Sequence, residues 1–95
     1  MTIAFIGFGE AGGILAADLA REHAVTIWDC KLNGPAREAM LRKASDSRVQ
    51  VGNSLAQALE EATLVFSTVT AGEALKVAQQ AAALLQPGQY FLDLN

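Results

Sequence analysis

The sequence is poor in the residues that build covalently stapled or metal-held folds, with one cysteine and one histidine in 95 residues. A lone Cys30 excludes an internal disulfide framework and fits a reducing compartment. His23 and Cys30 form no ligand-spacing pattern, so no metal site is expected. Basic residues are also scarce: 7 Lys and Arg against 10 Asp and Glu give a net charge of −3. That balance argues against a nucleic-acid or anionic-membrane partner, since both need clustered positive charge. No stretch approaches the ~18 consecutive apolar residues of a membrane span. The first apolar run starts at residue 2 or 3, which leaves no room for a secretory leader. Repeats, linkers and low-complexity segments are missing too. A cytoplasmic protein of one domain, residues 1–95, is the simplest expectation.

What is present is a 52% hydrophobic composition rich in Ala, Leu and Val, suited to a sheet covered by helices on both faces. Strand and helix signals alternate along the chain. Residues 2–6 read as a continuous apolar strand, followed by a helix from about residue 10 to residue 22. A second apolar run, 25–28, closes at Asp29. Asn33-Gly34-Pro35 reads as a turn, 36–43 as a short helix, and 48–51 as a brief strand stopped by Gly52. Ser54 with Gln57 forms a capping-box pattern that opens a helix reaching residue 61 or 62. Residues 64–69 form the fourth strand. Thr70 with Glu73 is a second capping box, opening a long helix to about residue 85. Pro87-Gly88 stops it, and 90–94 is the fifth strand. This alternation predicts an α/β, Rossmann-type doubly wound parallel sheet in three αβα layers, with strand order 3-2-1-4-5.

Between the first strand and first helix stand Gly7, Gly9 and Gly12, the strand–glycine-rich turn–helix order of a dinucleotide site. Gly7 allows the tight turn, Gly9 lets backbone approach a pyrophosphate, and Gly12 lets helix pack on strand. The free N–H groups of the helix's first turn then face the ligand's negative charge. The expected cofactor-binding residues in this loop are Gly7, Phe8, Gly9, Glu10, Ala11 and Gly12, with the Glu10 carboxylate turned away from the pyrophosphate. Asp29 lies roughly 20 residues further on, where an acid accepts ribose hydroxyls and repels a 2′-phosphate. Cys30 and Lys31 follow it rather than an arginine, so NAD is favoured over NADP, although Lys31 and Arg37 are able to pair with a phosphate. Thr68, Val69 and Thr70, where the fourth strand meets its helix, flank the expected cofactor; the Thr70 side chain is expected to cap that helix. Ser67 adjoins them. Asn95, at the end of the fifth strand, is expected near the nicotinamide, with Asp93 a structural acceptor. Trp28 and the phenylalanines read as core. His23 is expected at the end of the first helix. No residue is assigned a catalytic role.

The segment Gly7-Phe8-Gly9-Glu10-Ala11-Gly12, with Ala16, Asp18 and Leu19, resembles the opening signature of the 6-phosphogluconate dehydrogenase and β-hydroxyacid dehydrogenase superfamily. The similarity runs through residues 25–29 and 64–70 into Phe91-Leu92-Asp93-Leu94-Asn95, and is nearest to a 6-phosphogluconate dehydrogenase-like branch. Many members carry Met at Ala11, Asn at Asp18, Asn-Arg at Asp29-Cys30, and Met-Leu-Pro at Thr68-Val69-Thr70. These departures bear on substrate and on the choice between NAD and NADP. The resemblance implies the N-terminal cofactor domain of an oxidoreductase moving hydride between nicotinamide and a small hydroxy acid. It also implies a helical substrate domain beyond this segment, supplying the general acid/base lysine, and a homodimer formed largely through that domain. On this reading no lysine here is the acid/base, and the 95-residue piece alone is inactive. Two other expectations fit the same residues: a non-catalytic dinucleotide-sensing module, and a Rossmann-like domain whose site is empty or serves partner contacts.

Overall fold

The computed structural model describes residues 1–94. Five parallel strands form one sheet: β1 (Thr2–Ile6), β2 (Ala24–Trp28), β3 (Gln50–Val51), β4 (Leu64–Ser67) and β5 (Tyr90–Asp93). Their order is β3-β2-β1-β4-β5, as the sequence predicts. Four α-helices cover it: α1 (Glu10–Leu19), α2 (Arg37–Asp46), α3 (Leu55–Glu60) and α4 (Ala71–Leu84).

The side-chain period of two sorts the apolar residues of β1 onto opposite faces. Ile3 and Phe5 join Val25 and Ile27 of β2 under Ala16 of α1 and Met40 and Ala44 of α2. Ala4 and Ile6 join Val65 of β4 under Leu59 of α3 and Val77 and Ala81 of α4. Both faces of the central strand are therefore buried, which explains why it reads as an unbroken apolar run. Each such buried Ile or Phe contributes roughly 1.5–3 kcal/mol. Phe5 and Phe66 stack across adjacent strands with ring centroids 5.1 Å apart. Chain direction reverses its lateral progress at β1, whose carboxyl end adjoins both β2 and β4. That switch point opens the crevice in which doubly wound sheets bind ligands.

Several boundaries differ from the sequence expectation. α1 stops at Leu19 rather than near residue 22, because the N–H groups of Arg21 and Glu22 reach carbonyls three residues back and tighten the turn into β2. His23 therefore sits beyond the helix rather than at its end. α2 starts at Arg37 and runs on to Asp46, past the expected residue 43. β3 is only two residues long, because Arg48 occupies the left-handed region at φ 60°. The Arg48 N–H reaches the Ser45 carbonyl at 3.1 Å and the Val49 N–H reaches the Ala44 carbonyl at 3.1 Å. These bonds make a Schellman ending for α2 with arginine where glycine is usual. β4 ends at Ser67, where its paired neighbours Ile6 and Asp93 also end.

The Ser54 capping box is present in shifted form: Ser54 Oγ accepts the Gln57 N–H at 3.1 Å, and Gln57 Oε1 accepts the Asn53 N–H at 2.9 Å. The expected Thr70 box is not formed. Thr70 makes no side-chain capping bond, and only its carbonyl engages the first turn of α4, accepting the Glu73 N–H at 3.0 Å.

Candidate functional site

The crevice at the carboxyl end of β1 is a cleft of about 370 Å³, with the glycine turn and Asp29 on one side, the β4–α4 loop on the other, and one face of α4 as its wall. Each glycine of the turn answers a separate requirement. Gly7 has φ +100°, a conformation other residues rarely adopt, and its N–H donates to the Trp28 carbonyl at 2.8 Å. A Cβ on Gly12 would lie 2.4 Å from Thr68 Oγ1 and 2.6 Å from the Gly7 carbonyl oxygen. A Cβ on Gly9 would meet nothing within 4 Å. At Gly7 and Gly12, then, the fold demands glycine; at Gly9 the protein leaves open space beside its own backbone.

α1 begins in that space. Gly9 is its N-cap and offers no side chain to satisfy the first-turn N–H groups. Glu10 is exposed and is not among the residues lining the cleft. An uncapped helix start with open space before it is the arrangement that binds phosphate.

Asp29 is 9% exposed and N-caps a 3₁₀ turn at Cys30–Asn33. Its Oδ2 accepts the Phe8 N–H at 2.8 Å, and its Oδ1 accepts the Lys31 N–H at 2.9 Å. The carboxylate thus ties the glycine turn to the end of β2. Each oxygen keeps lone-pair capacity beyond these single bonds, and Asp29 lines the cleft. Phe8 places its side chain in the core at 1% exposure. Its N–H is committed to Asp29.

Across the cleft, Thr68 lines the space; its Oγ1 donates to the Gly7 carbonyl at 2.9 Å and packs on Gly12, which spends its proton within the protein and leaves the oxygen's acceptor capacity. Val69 and Thr70 line the cleft, and the Thr70 hydroxyl is not spent on capping. Ser67 is fully buried within the sheet, and its Oγ lacks a hydrogen-bond partner among the described residues. It does not reach the cleft. Asn95 lies outside the described residues. Arg37 donates to the Leu32 carbonyl at 3.2 Å, whereas Lys31 lines the cleft. Cys30 is exposed at the same rim. Among the described residues no cluster of three or more His, Cys, Asp or Glu is arranged to hold a metal, and no helix is long and apolar enough to cross a membrane.

Three features were not predicted from sequence. Trp28 is only half-buried and packs against both core clusters while lining the cleft. The cleft wall formed by Glu73, Lys76, Val77 and Gln80 of α4 appears at helical spacing in the sequence, but nothing there tells which face it serves. Lys43, from the far end of α2, bonds the backbone of the glycine turn, and no local pattern announces a contact over that separation.

Fold, switch-point crevice and open glycine turn together define a Rossmann-type domain of the dinucleotide-binding class. Residues 2–95 match the family described as the NAD binding domain of 6-phosphogluconate dehydrogenase, and the chain belongs to that family. Among solved structures, a conserved hypothetical protein from Sinorhizobium meliloti 1021 is 35% identical with a TM-score of 0.91, covering 100% of this chain and 32% of that protein. The 3-hydroxyisobutyrate dehydrogenase of Mycobacterium tuberculosis is 30% identical with a TM-score of 0.78, covering 97% of this chain and 30% of the enzyme. UDP-N-acetylglucosamine 3-dehydrogenase from Acidithiobacillus ferrooxidans, at 21% identity and a TM-score of 0.78, shares the fold. The chain thus spans about a third of the length of these proteins. No curated protein matches the sequence.

Proposed function

We propose that this chain is the cofactor-binding part of an NAD(P)-dependent oxidoreductase that moves hydride between the nicotinamide and a CH–OH group of a small hydroxy acid. The observation that carries the reading is the uncapped start of α1 facing open space at Gly9. Family membership and the similarity to a hydroxyisobutyrate dehydrogenase support it. The first-turn backbone of α1, from Gly9 through Gly12, holds the pyrophosphate, and Gly7 and Phe8 shape the turn beneath it. Asp29 accepts the adenosine ribose hydroxyls with its remaining lone pairs and disfavours a 2′-phosphate, so NAD is the preferred cofactor. Val69 and the Thr70 hydroxyl contact the ribose and pyrophosphate from the opposite side. When bound, the cofactor supplies the hydride chemistry; these residues bind and orient it. The acid/base group and the substrate-selecting residues belong to the part of the protein outside this segment, which also forms a homodimer, in the cytoplasm.

Titration of the full-length protein with NADH and NADPH tests the reading. Reduced-nicotinamide fluorescence is expected to change with both, with NADH the tighter ligand. No change with either overturns it. A dinucleotide-sensing module would bind equally well but fail to turn over any hydroxy acid.

A further inference from the structure

Resting on the dinucleotide reading above, we infer that Lys43 is a positioning residue for the pyrophosphate, acting through the peptide planes of the glycine turn. Its Nζ donates to the Phe8 carbonyl at 3.0 Å and to the Gly9 carbonyl at 2.9 Å, and it stands 4.6 Å from the centre of the Phe8 ring. The chain contains no cis peptide among the described residues. In a trans peptide the C=O and the following N–H point in opposite directions. Pinning the Phe8 carbonyl therefore turns the Gly9 N–H to the other side of the loop, and pinning the Gly9 carbonyl does the same for the Glu10 N–H. That other side is the open space in front of α1. Among the described residues neither N–H has a protein acceptor.

The lysine also strengthens what it aims. An ammonium bonded to a carbonyl polarises that peptide unit and makes its N–H a better donor. The Gly9 carbonyl already accepts the Gly13 N–H at 2.8 Å, so the ammonium adds to an existing hydrogen-bond chain. Asp29 holds the Phe8 N–H from the opposite flank, which leaves the Phe8 residue gripped by a cation at one end and an anion at the other. Gly13 fits the same account: a Cβ there would lie 2.7 Å from both Cε and Nζ of Lys43. Only a glycine lets the lysine lie across the first turn of α1.

Lys43 is exposed, so its substitution leaves the core intact. Lys43→Met keeps the stem over Phe8 and removes the charge and donors, and Lys43→Arg restores both. The full-length protein is titrated with ADP-ribose and with adenosine, following the amide resonances of Gly9 and Glu10. Expected is a roughly tenfold loss of ADP-ribose affinity in Lys43→Met, most of it recovered in Lys43→Arg, with adenosine affinity unchanged and the ligand-induced shifts of the two amides reduced. A Lys43→Met affinity within twofold of wild type, or an equal loss for adenosine and ADP-ribose, overturns the role of Lys43 alone. A wild-type protein that fails to bind ADP-ribose overturns the dinucleotide reading itself.

Discussion

Gly12 and Thr68 face each other at a distance that admits no side chain, and this pair joins the glycine turn to β4. Gly12→Ala would place a methyl group 2.4 Å from Thr68 Oγ1 and 2.6 Å from a backbone carbonyl that has no rotamer to escape into. Overpacking of this kind costs about 1–3 kcal/mol. Chemical denaturation of Gly12→Ala is expected to show a loss in that range, together with weakened NADH binding. Ser67 behaves in the opposite sense. Its hydroxyl is fully buried and lacks a partner among the described residues, so the fold carries the desolvation cost of that group without a bond in return. Ser67→Ala is expected to leave stability unchanged or raise it by about 1 kcal/mol, measured by urea unfolding. A destabilisation above about 1 kcal/mol would mean that the hydroxyl is satisfied in solution.

At the scale of elements, α2 and α4 end and begin against the usual rules. The Schellman ending of α2 holds Arg48 at φ 60°, and Ala44 and Val49 supply the accompanying apolar contact from within the core. Arg48→Gly relieves the left-handed penalty and is expected to raise stability by about 0.5–1 kcal/mol, read as a higher denaturation midpoint. At α4 the Thr70 hydroxyl forms no cap. Thr70→Ala should therefore change stability by less than about 0.5 kcal/mol, where a capping threonine costs about 1 kcal/mol or more, while lowering NADH affinity. A normal capping loss with unchanged affinity would return Thr70 to a purely structural role. These two helix ends also show where the sequence was legible. The apolar runs of β1, β2 and β4, the glycine turn and the helix at Ser54 follow from local pattern, since each is decided by neighbours within a few residues. The Thr70 box failed because residue spacing states only that a bond is possible, while the rotamer is chosen by the tertiary surroundings. The grip of Lys43 on Phe8 and Gly9, and the tie from Asp29 to Phe8, join residues far apart in the chain. Its distance from the glycines marks Asp29 in the sequence, but nothing in the sequence marks its buried hydrogen bonds.

For the whole molecule, the β5 edge of the sheet carries exposed apolar surface. Alternation along β5 puts Phe91 against the core on the α4 side and Tyr90 and Leu92 on the opposite face, where they are 66% and 42% exposed. Met1, Ile14, Leu75 and Leu94 add to the exposed apolar surface. The folded 95-residue polypeptide is expected to bind 8-anilinonaphthalene-1-sulfonate, and Leu92→Gln to reduce that binding without lowering stability. Equal binding by the variant would place the dye elsewhere. At the carboxyl end of the central strand, everything that makes the cleft a site depends on the open space at Gly9. Gly9 has φ −79°, which any residue adopts, and a Cβ there meets nothing. A bulky side chain is therefore compatible with the fold and incompatible with a pyrophosphate. The measurement is an NADH titration of wild type and Gly9→Leu, paired with thermal unfolding of both. The account predicts unfolding midpoints that agree closely and NADH binding that is present in wild type and lost in Gly9→Leu. A stably folded Gly9→Leu that binds NADH as tightly as wild type would contradict it.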